Sequence, residues 1–204
     1  MAGYGSLDLW QIERKLISEG FECICGVDEA GRGPLAGPVY TAAVILPFNA
    51  DIPDLNDSKK LSEKKRERLY IEITDIALSY AIASADHKEI DDLNILNATY
   101  LAMNRAIGKL NKKTDIAMID GNRNNGIEYY SRCFTGGDGR SASIAAASIL
   151  AKVSRDRYMV NMAEKFPQYG FEKHKGYGTK LHYERLREYG PSDIHRFSFL
   201  KRHH

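Results

Sequence analysis

Glu22-Cys23-Ile24-Cys25-Gly26-Val27-Asp28 runs into Glu29-Ala30-Gly31-Arg32-Gly33-Pro34, and after Leu35-Ala36-Gly37-Pro38 comes Val39-Tyr40-Thr41-Ala42-Ala43-Val44-Ile45-Leu46. The first stretch predicts a short strand over 22–28. The glycines and proline of 31–34 predict a turn. Residues 39–46 are nearly all apolar and stop at Pro47, which predicts a strand buried on both faces. Adjacent side chains of a strand point to opposite faces. Asp28 and Glu29 can therefore share one site only if the pleat ends between them. The expectation is that the strand stops at Asp28 and Glu29 belongs to the turn, where glycines permit a sharp change of direction.

Outward from this stretch, 6–20 reads as an amphipathic helix with Ser6 as N-cap and Gly20 as stop. Residues 51–61 read as a polar loop, and Ser62 caps a charged helix to about 78. A third strand is expected over 79–85, with Tyr80, Ile82 and Ser84 on one face. Then come a helix over 97–110, a buried strand over 115–120, a strand over 128–134 and a long helix over 141–166. The small residues Ala142, Ala145, Ala146, Ala147, Ser148 and Ala151 suit that helix to close packing on a sheet. The order predicts one α/β domain over 1–204. An antiparallel meander feeds parallel strands in a central mixed β-sheet flanked by helices. Residues 167–204, with one helix expected over 179–189, read as a C-terminal helical extension that contacts substrate.

A chain of 204 residues fits one domain with a sizeable core. No apolar run is long enough to cross a membrane. The N-terminus lacks a basic stretch followed by an apolar core, so a cytoplasmic location is expected. A net charge of +2 does not by itself announce nucleic-acid binding. Lys59, Lys60, Lys64, Lys65, Arg66 and Arg68 nevertheless cluster, and a second basic region runs from Lys173 to Arg187; such patches can neutralise phosphates. Cys23, Cys25 and Cys133 are an odd count without a second CxxC-like pair, so they read as reduced, buried thiols rather than a zinc site.

Four carboxylates stand where strands give way to loops: Asp28, Glu29, Asp120 and Asp138. An acid at the end of an apolar strand pays desolvation unless it is paired or binds a metal. Each aspartate alone reads as readily as a turn cap. Together they suit a hard divalent cation, Mg²⁺ or Mn²⁺, and two such ions can drive phosphodiester hydrolysis.

These residues also carry a resemblance. Asp28-Glu29-Ala30-Gly31-Arg32-Gly33-Pro34-Leu35-Ala36-Gly37-Pro38-Val39 resembles the signature of bacterial type 2 ribonuclease H (RNase HII). So, in order, do Asp57-Ser58-Lys59-Lys60-Leu61-Ser62, Ile119-Asp120-Gly121-Asn122, residues 145–153 and Lys175-Gly176-Tyr177-Gly178-Thr179. The likeness spans roughly 22–199. It implies an RNase H-like fold and a metal-dependent endonuclease. The implied substrates are RNA–DNA hybrid and DNA duplex containing ribonucleotides, cut 5′ of the ribonucleotide to leave a 3′-hydroxyl and a 5′-phosphate. It implies Asp28, Glu29 and Asp120 as metal ligands, with Asp138 as the fourth. Asp156, in Ser154-Arg155-Asp156-Arg157, competes for that fourth place; it is taken as a helix residue salt-bridged between two arginines.

A nuclease that finds ribose in DNA must sense the 2′-hydroxyl. The glycines of Gly31-Arg32-Gly33 let backbone amides and carbonyls approach a sugar, and Arg32 can reach a phosphate. Tyr177 lies between glycines, where its ring is not expected to be well buried, and the resemblance gives it the role of checking the RNA–DNA junction. Lys59 and Lys60, with Lys152 and Lys180, are expected to face the phosphate backbone. His174, His182 and His195 read as structural or phosphate-contacting, not as a metal site. The segment Phe197-Ser198-Phe199-Leu200 has aromatics without a glutamine-led clamp-binding pattern. A monomer is expected. Two other readings share the carboxylates or the basic patches: a type 1-like ribonuclease H or integrase-like nuclease, and a non-catalytic nucleic-acid binder. A pure binder gains nothing from negative charge facing phosphate.

Overall fold

Strands β1 (Ile24–Ala30), β2 (Val39–Ile45) and β3 (Ser79–Ala85) form an antiparallel meander. Strands β4 (Ile116–Asp120) and β5 (Ser131–Phe134) join in parallel on the other side of β1, so the sheet order is β3-β2-β1-β4-β5. This is the expected mixed sheet. The computed structural model describes residues 8–200; Ser6, expected as a cap, and the terminal His203-His204 lie outside them.

The first strand departs from the expected boundary. It continues two residues past Asp28, because Glu29 and Ala30 still pair with Thr41 and Tyr40 of β2. The pleat therefore does not break at Asp28. Gly31, at φ +97°, makes the change of direction instead.

Helices cover both faces. Helix α1 (Gln11–Ser18) starts later than expected, with Trp10 at its N-cap and no side-chain cap. Helix α2 (Glu63–Ile76) is capped by Ser62 as expected. It follows a 3-10 turn at Ser58–Lys60 inside the expected loop. Helix α3 (His87–Gly108) begins ten residues before its expected start. Asp86 and Glu89 form a capping box there, and Asn94 (φ 65°, ψ 163°) kinks the helix and caps its second half. Helix α4 (Ala142–Lys165) matches its expected span.

Burial of β2 on both faces follows from this layering. Ala42 and Val44 pack on the alanines of α4, while Ala43 and Ile45 pack on Met103 and Ala106 of α3. Helix α4 lies very close to β1. A Cβ on Gly26 would stand 2.2 Å from the carbonyl carbon of Ser143, so only glycine fits. Cys23, Cys25 and Cys133 are free thiols in the α3-side core, with Cys133 half-buried.

The tail holds three short helices rather than one: α5 (Phe171–His174), α6 (Lys180–Tyr189) and α7 (Phe197–Leu200). Its own small core of Tyr169, Phe171 and Ile194 seats on Ala36 and Met159. Leu35 N–H donates to Gly176 O at 2.8 Å and Gly37 N–H to Ile194 O at 2.9 Å. The extension is thus stitched to the segment that follows β1. Among the described residues, no helix is long and apolar enough to cross a membrane.

Candidate active site

Alternation along β1 decides where each acid goes. Gly26 faces α4, so Asp28 does too; Val27 faces α3, so Glu29 does too. Parallel pairing sets Val27 beside Ile119, which brings Asp28 and Asp120 side by side at the C-terminal ends of β1 and β4. The 3-10 turn Gly137–Gly139, which leads into α4, adds Asp138. One carboxylate oxygen from each of Asp28, Asp120 and Asp138 lies within 4.8 Å of the others.

Hydrogen bonds fix these side chains. Asp120 Oδ1 accepts from Gly137 N–H at 2.8 Å, so one acid holds the turn that carries another. Asp28 Oδ1 accepts from Glu29 N–H at 2.7 Å. Ser148 of α4 bonds to the Asp28 carboxylate and lies 2.8 Å, oxygen to oxygen, from the Ser58 hydroxyl. Two serines that sequence reasoning passed over thus support the cluster from below. Their only signal is a hydroxyl among small apolar residues on a helix face.

Electrostatically the cluster is poised for a cation. Burial first, then the neighbouring charges of Glu29 and Asp120, push the Asp28 carboxyl well above the usual carboxylate range. Burial, then Asp120, pushes Asp138 up. Glu29 is also raised, by burial first, against the opposing pull of Arg32, whose Nη1 stands 3.4 Å away. Burial would weaken the Lys59 ammonium, yet Asp28, Asp138, Asp57 and Asp120 hold its pKa above normal; its Nζ is 4.0 Å from Asp138 Oδ2. One exposed lysine does not neutralise three converging carboxylates. An all-oxygen donor set of this kind fits a hard divalent cation.

Glu29 is not among the three converging acids. It lines the adjacent cleft with Arg32, Tyr100, Asp120, Asn122 and Arg123, a space of about 240 Å³. Arg123 is a further basic residue that sequence reasoning missed. Asp156 stands apart from the cluster. Its partner is Lys152, at 2.7 Å, and not the flanking arginines: Arg155 is buried and Arg157 pairs with Glu67. Lys152 is therefore tied up within α4, and Lys180 pairs loosely with Glu184 at 3.9 Å. Lys60 is exposed beside Lys59.

Tyr177 is 42% exposed, and its ring edge lies near Gly33: a Cβ added there would be 3.9 Å away. Arg32 and Gly33 are exposed while Gly31 is buried. The carbonyls of Gly31 and Arg32 turn inward and accept from Arg196, so across their trans peptide bonds the amides of Arg32 and Gly33 point the opposite way. The three histidines are all buried and do not face phosphate. Ser192 N–H donates to His195 Nδ1, so His195 Nε2 donates to His182 Nε2 at 3.0 Å and His182 Nδ1 donates to Tyr177 O at 2.9 Å.

Among solved structures, the chain resembles ribonuclease H2 from Pyrococcus horikoshii, with a TM-score of 0.71 and 25% identity over 87% of this chain and 93% of that one. Fold and converging acids together define a nuclease of RNase H-like architecture. The family model for ribonuclease HII matches residues 25–202. The ribonuclease HII of Caldicellulosiruptor bescii is 55% identical over 94% of this chain and 93% of its own, and that of Endomicrobium trichonymphae 53% over 94% and 92%. The chain belongs to the ribonuclease HII family and is a ribonuclease.

Proposed function

We propose that this ribonuclease cuts the RNA strand of RNA–DNA hybrids and nicks duplex DNA on the 5′ side of a single ribonucleotide, leaving a 3′-hydroxyl and a 5′-phosphate. The observation that carries this is the convergence of Asp28, Asp120 and Asp138 beside the exposed Arg32 and Gly33 of the Gly31-Arg32-Gly33 turn and the exposed Tyr177. Asp28, Asp120, Asp138 and, from the cleft side, Glu29 are the ligands for Mg²⁺ or Mn²⁺. Two bound ions would activate the attacking water and neutralise charge on the leaving oxygen.

The chain's own groups do the rest. Arg32 and Arg123 meet phosphates along the cleft that Glu29 and Asp120 line. Lys59 and Lys60 give the strand a positive border. The outward amides of the turn meet the ribose 2′-oxygen, and the exposed Tyr177 ring stacks on the neighbouring sugar at the junction. Action as a monomer is part of the same proposal. The test is end-group analysis of the products from a duplex with one ribonucleotide. A 5′-phosphate on the ribonucleotide is expected; a cyclic phosphate on the upstream fragment would refute the mechanism.

A further inference from the structure

Arg155 and Arg196 are both fully buried, and among the described residues neither has a carboxylate partner. A buried unpaired cation is costly and is kept only where its hydrogen bonds are well satisfied. Here backbone carbonyls satisfy them. Arg196 Nε donates to Gly37 O at 2.8 Å, Nη1 to Arg32 O at 2.9 Å and Nη2 to Gly31 O at 2.6 Å. Arg155 Nε donates to Pro38 O at 3.1 Å, Nη2 to Ala36 O at 3.2 Å and Nη1 to Lys175 O at 3.0 Å. The acceptors belong to the two segments that carry the sugar-reading turn and Tyr177.

We infer that Arg196 and Arg155 are specificity-setting positioning residues, which hold the Gly31-Arg32-Gly33 turn and the Tyr177 loop in one relative placement from behind. Geometry supports this beyond the hydrogen bonds. Gly31 lies flat on Arg155: a Cβ there would stand 1.9 Å from Arg155 Nε. The Arg155 guanidinium also lies 5.6 Å from the centre of the Tyr177 ring, so one side chain touches both readers. By taking the Gly31 and Arg32 carbonyls inward, Arg196 points the Arg32 and Gly33 amides the opposite way and adds positive charge behind them. Burial lowers the pKa of both guanidinium groups, that of Arg196 to about 9, which is still charged at neutral pH. Lysine cannot replace such a planar fork spread over three acceptors.

The inference rests on the substrate reading proposed above, and its test separates the two. Arg196→Lys is compared with wild type by kcat/KM on a single-ribonucleotide duplex and on an all-RNA strand paired with DNA, and by amide hydrogen exchange of the free protein. Expected are faster exchange over 31–38 and 174–178, a loss of ~10-fold or more on the single ribonucleotide, and a loss of no more than ~3-fold on the hybrid. Mn²⁺ binding stays near wild type, because no carboxylate moves. Equal losses on both substrates, or unchanged exchange, would overturn the inference. Should Arg196→Lys not fold, Phe199→Leu removes the ring 5.1 Å from the same guanidinium and carries the same prediction at smaller size, with the same overturning outcomes. If wild type itself fails to nick a single ribonucleotide, the substrate reading falls; the clamp is then judged on exchange alone.

Discussion

Asp28 illustrates the conflict between stability and function at a single residue. Its carboxyl holds a proton more tightly in the folded chain than in the unfolded one. Without metal its contribution to stability is therefore lost as pH rises from the unfolded carboxylate range through the raised folded value. Asp28→Asn keeps an oxygen for the Glu29 N–H and removes the charge. In metal-free buffer at pH 7 it is expected to raise Tm by a few degrees; a lower Tm would contradict the electrostatic picture. The fourth acid is settled by a pair of variants. Asp138→Asn should cut turnover by ~100-fold or more, because loss of a ligand exceeds the cost of a supporting contact. Asp156→Asn should leave most activity, since it breaks only the bond to Lys152. Loss confined to Asp156→Asn would reverse the assignment. The grouping of Asp28, Asp120 and Asp138 was legible because an acid after an apolar strand or a glycine pair stands out in the sequence. Ser148, Arg155 and Arg196 were not: nothing in a sequence separates a buried arginine from a solvated one.

At the scale of elements, the strands and the long α4 were legible from apolar runs and caps, and β3 and α4 fall where the pattern put them. The misread boundaries have two causes, long-range pairing for β1 and local caps that were passed over for α3. Ladder bonds to β2 carry β1 to Ala30, past the acidic pair that looked like its end. In α3, Asp86 and Glu89 box a first half-helix that the expected span of 97–110 left out, and Asn94 joins it to the second. The extension is the element whose internal logic was hidden, since its histidines meet only when α6 packs against the following loop. Their chain of bonds requires neutral rings, and burial lowers His182 and His195 to about 4. With folded values below the unfolded 6.5, this contribution to stability is complete above about pH 6.5 and is lost as pH falls towards 4. Ring NMR shifts should show neither residue titrating above about pH 5; a midpoint near the unperturbed value would break the relay that ends on Tyr177.

Across the whole molecule, the proposed site lies where the sheet and the extension meet. The sheet brings acids from distant parts of the chain to adjacent strand ends. The extension, stitched to residues 35–37, sets Tyr177 beside Gly33. On the proposed reading, catalysis and recognition are built on different layers and should separate on mutation. Tyr177→Ala is expected to weaken cleavage at a single ribonucleotide by ~10-fold or more, as loss of one stacking ring does, and to affect a long RNA–DNA hybrid less. Equal losses would remove the junction role. The central claim is that the converging acids use a divalent cation to cut beside one ribose. It is tested most directly by incubating a DNA duplex containing one ribonucleotide with wild type and Asp28→Asn, each with Mg²⁺, with Mn²⁺ and with EDTA. The account predicts a single nick 5′ of the ribonucleotide by wild type with metal, and none with EDTA or with Asp28→Asn. Nicking in EDTA, or undiminished nicking by Asp28→Asn, would contradict it.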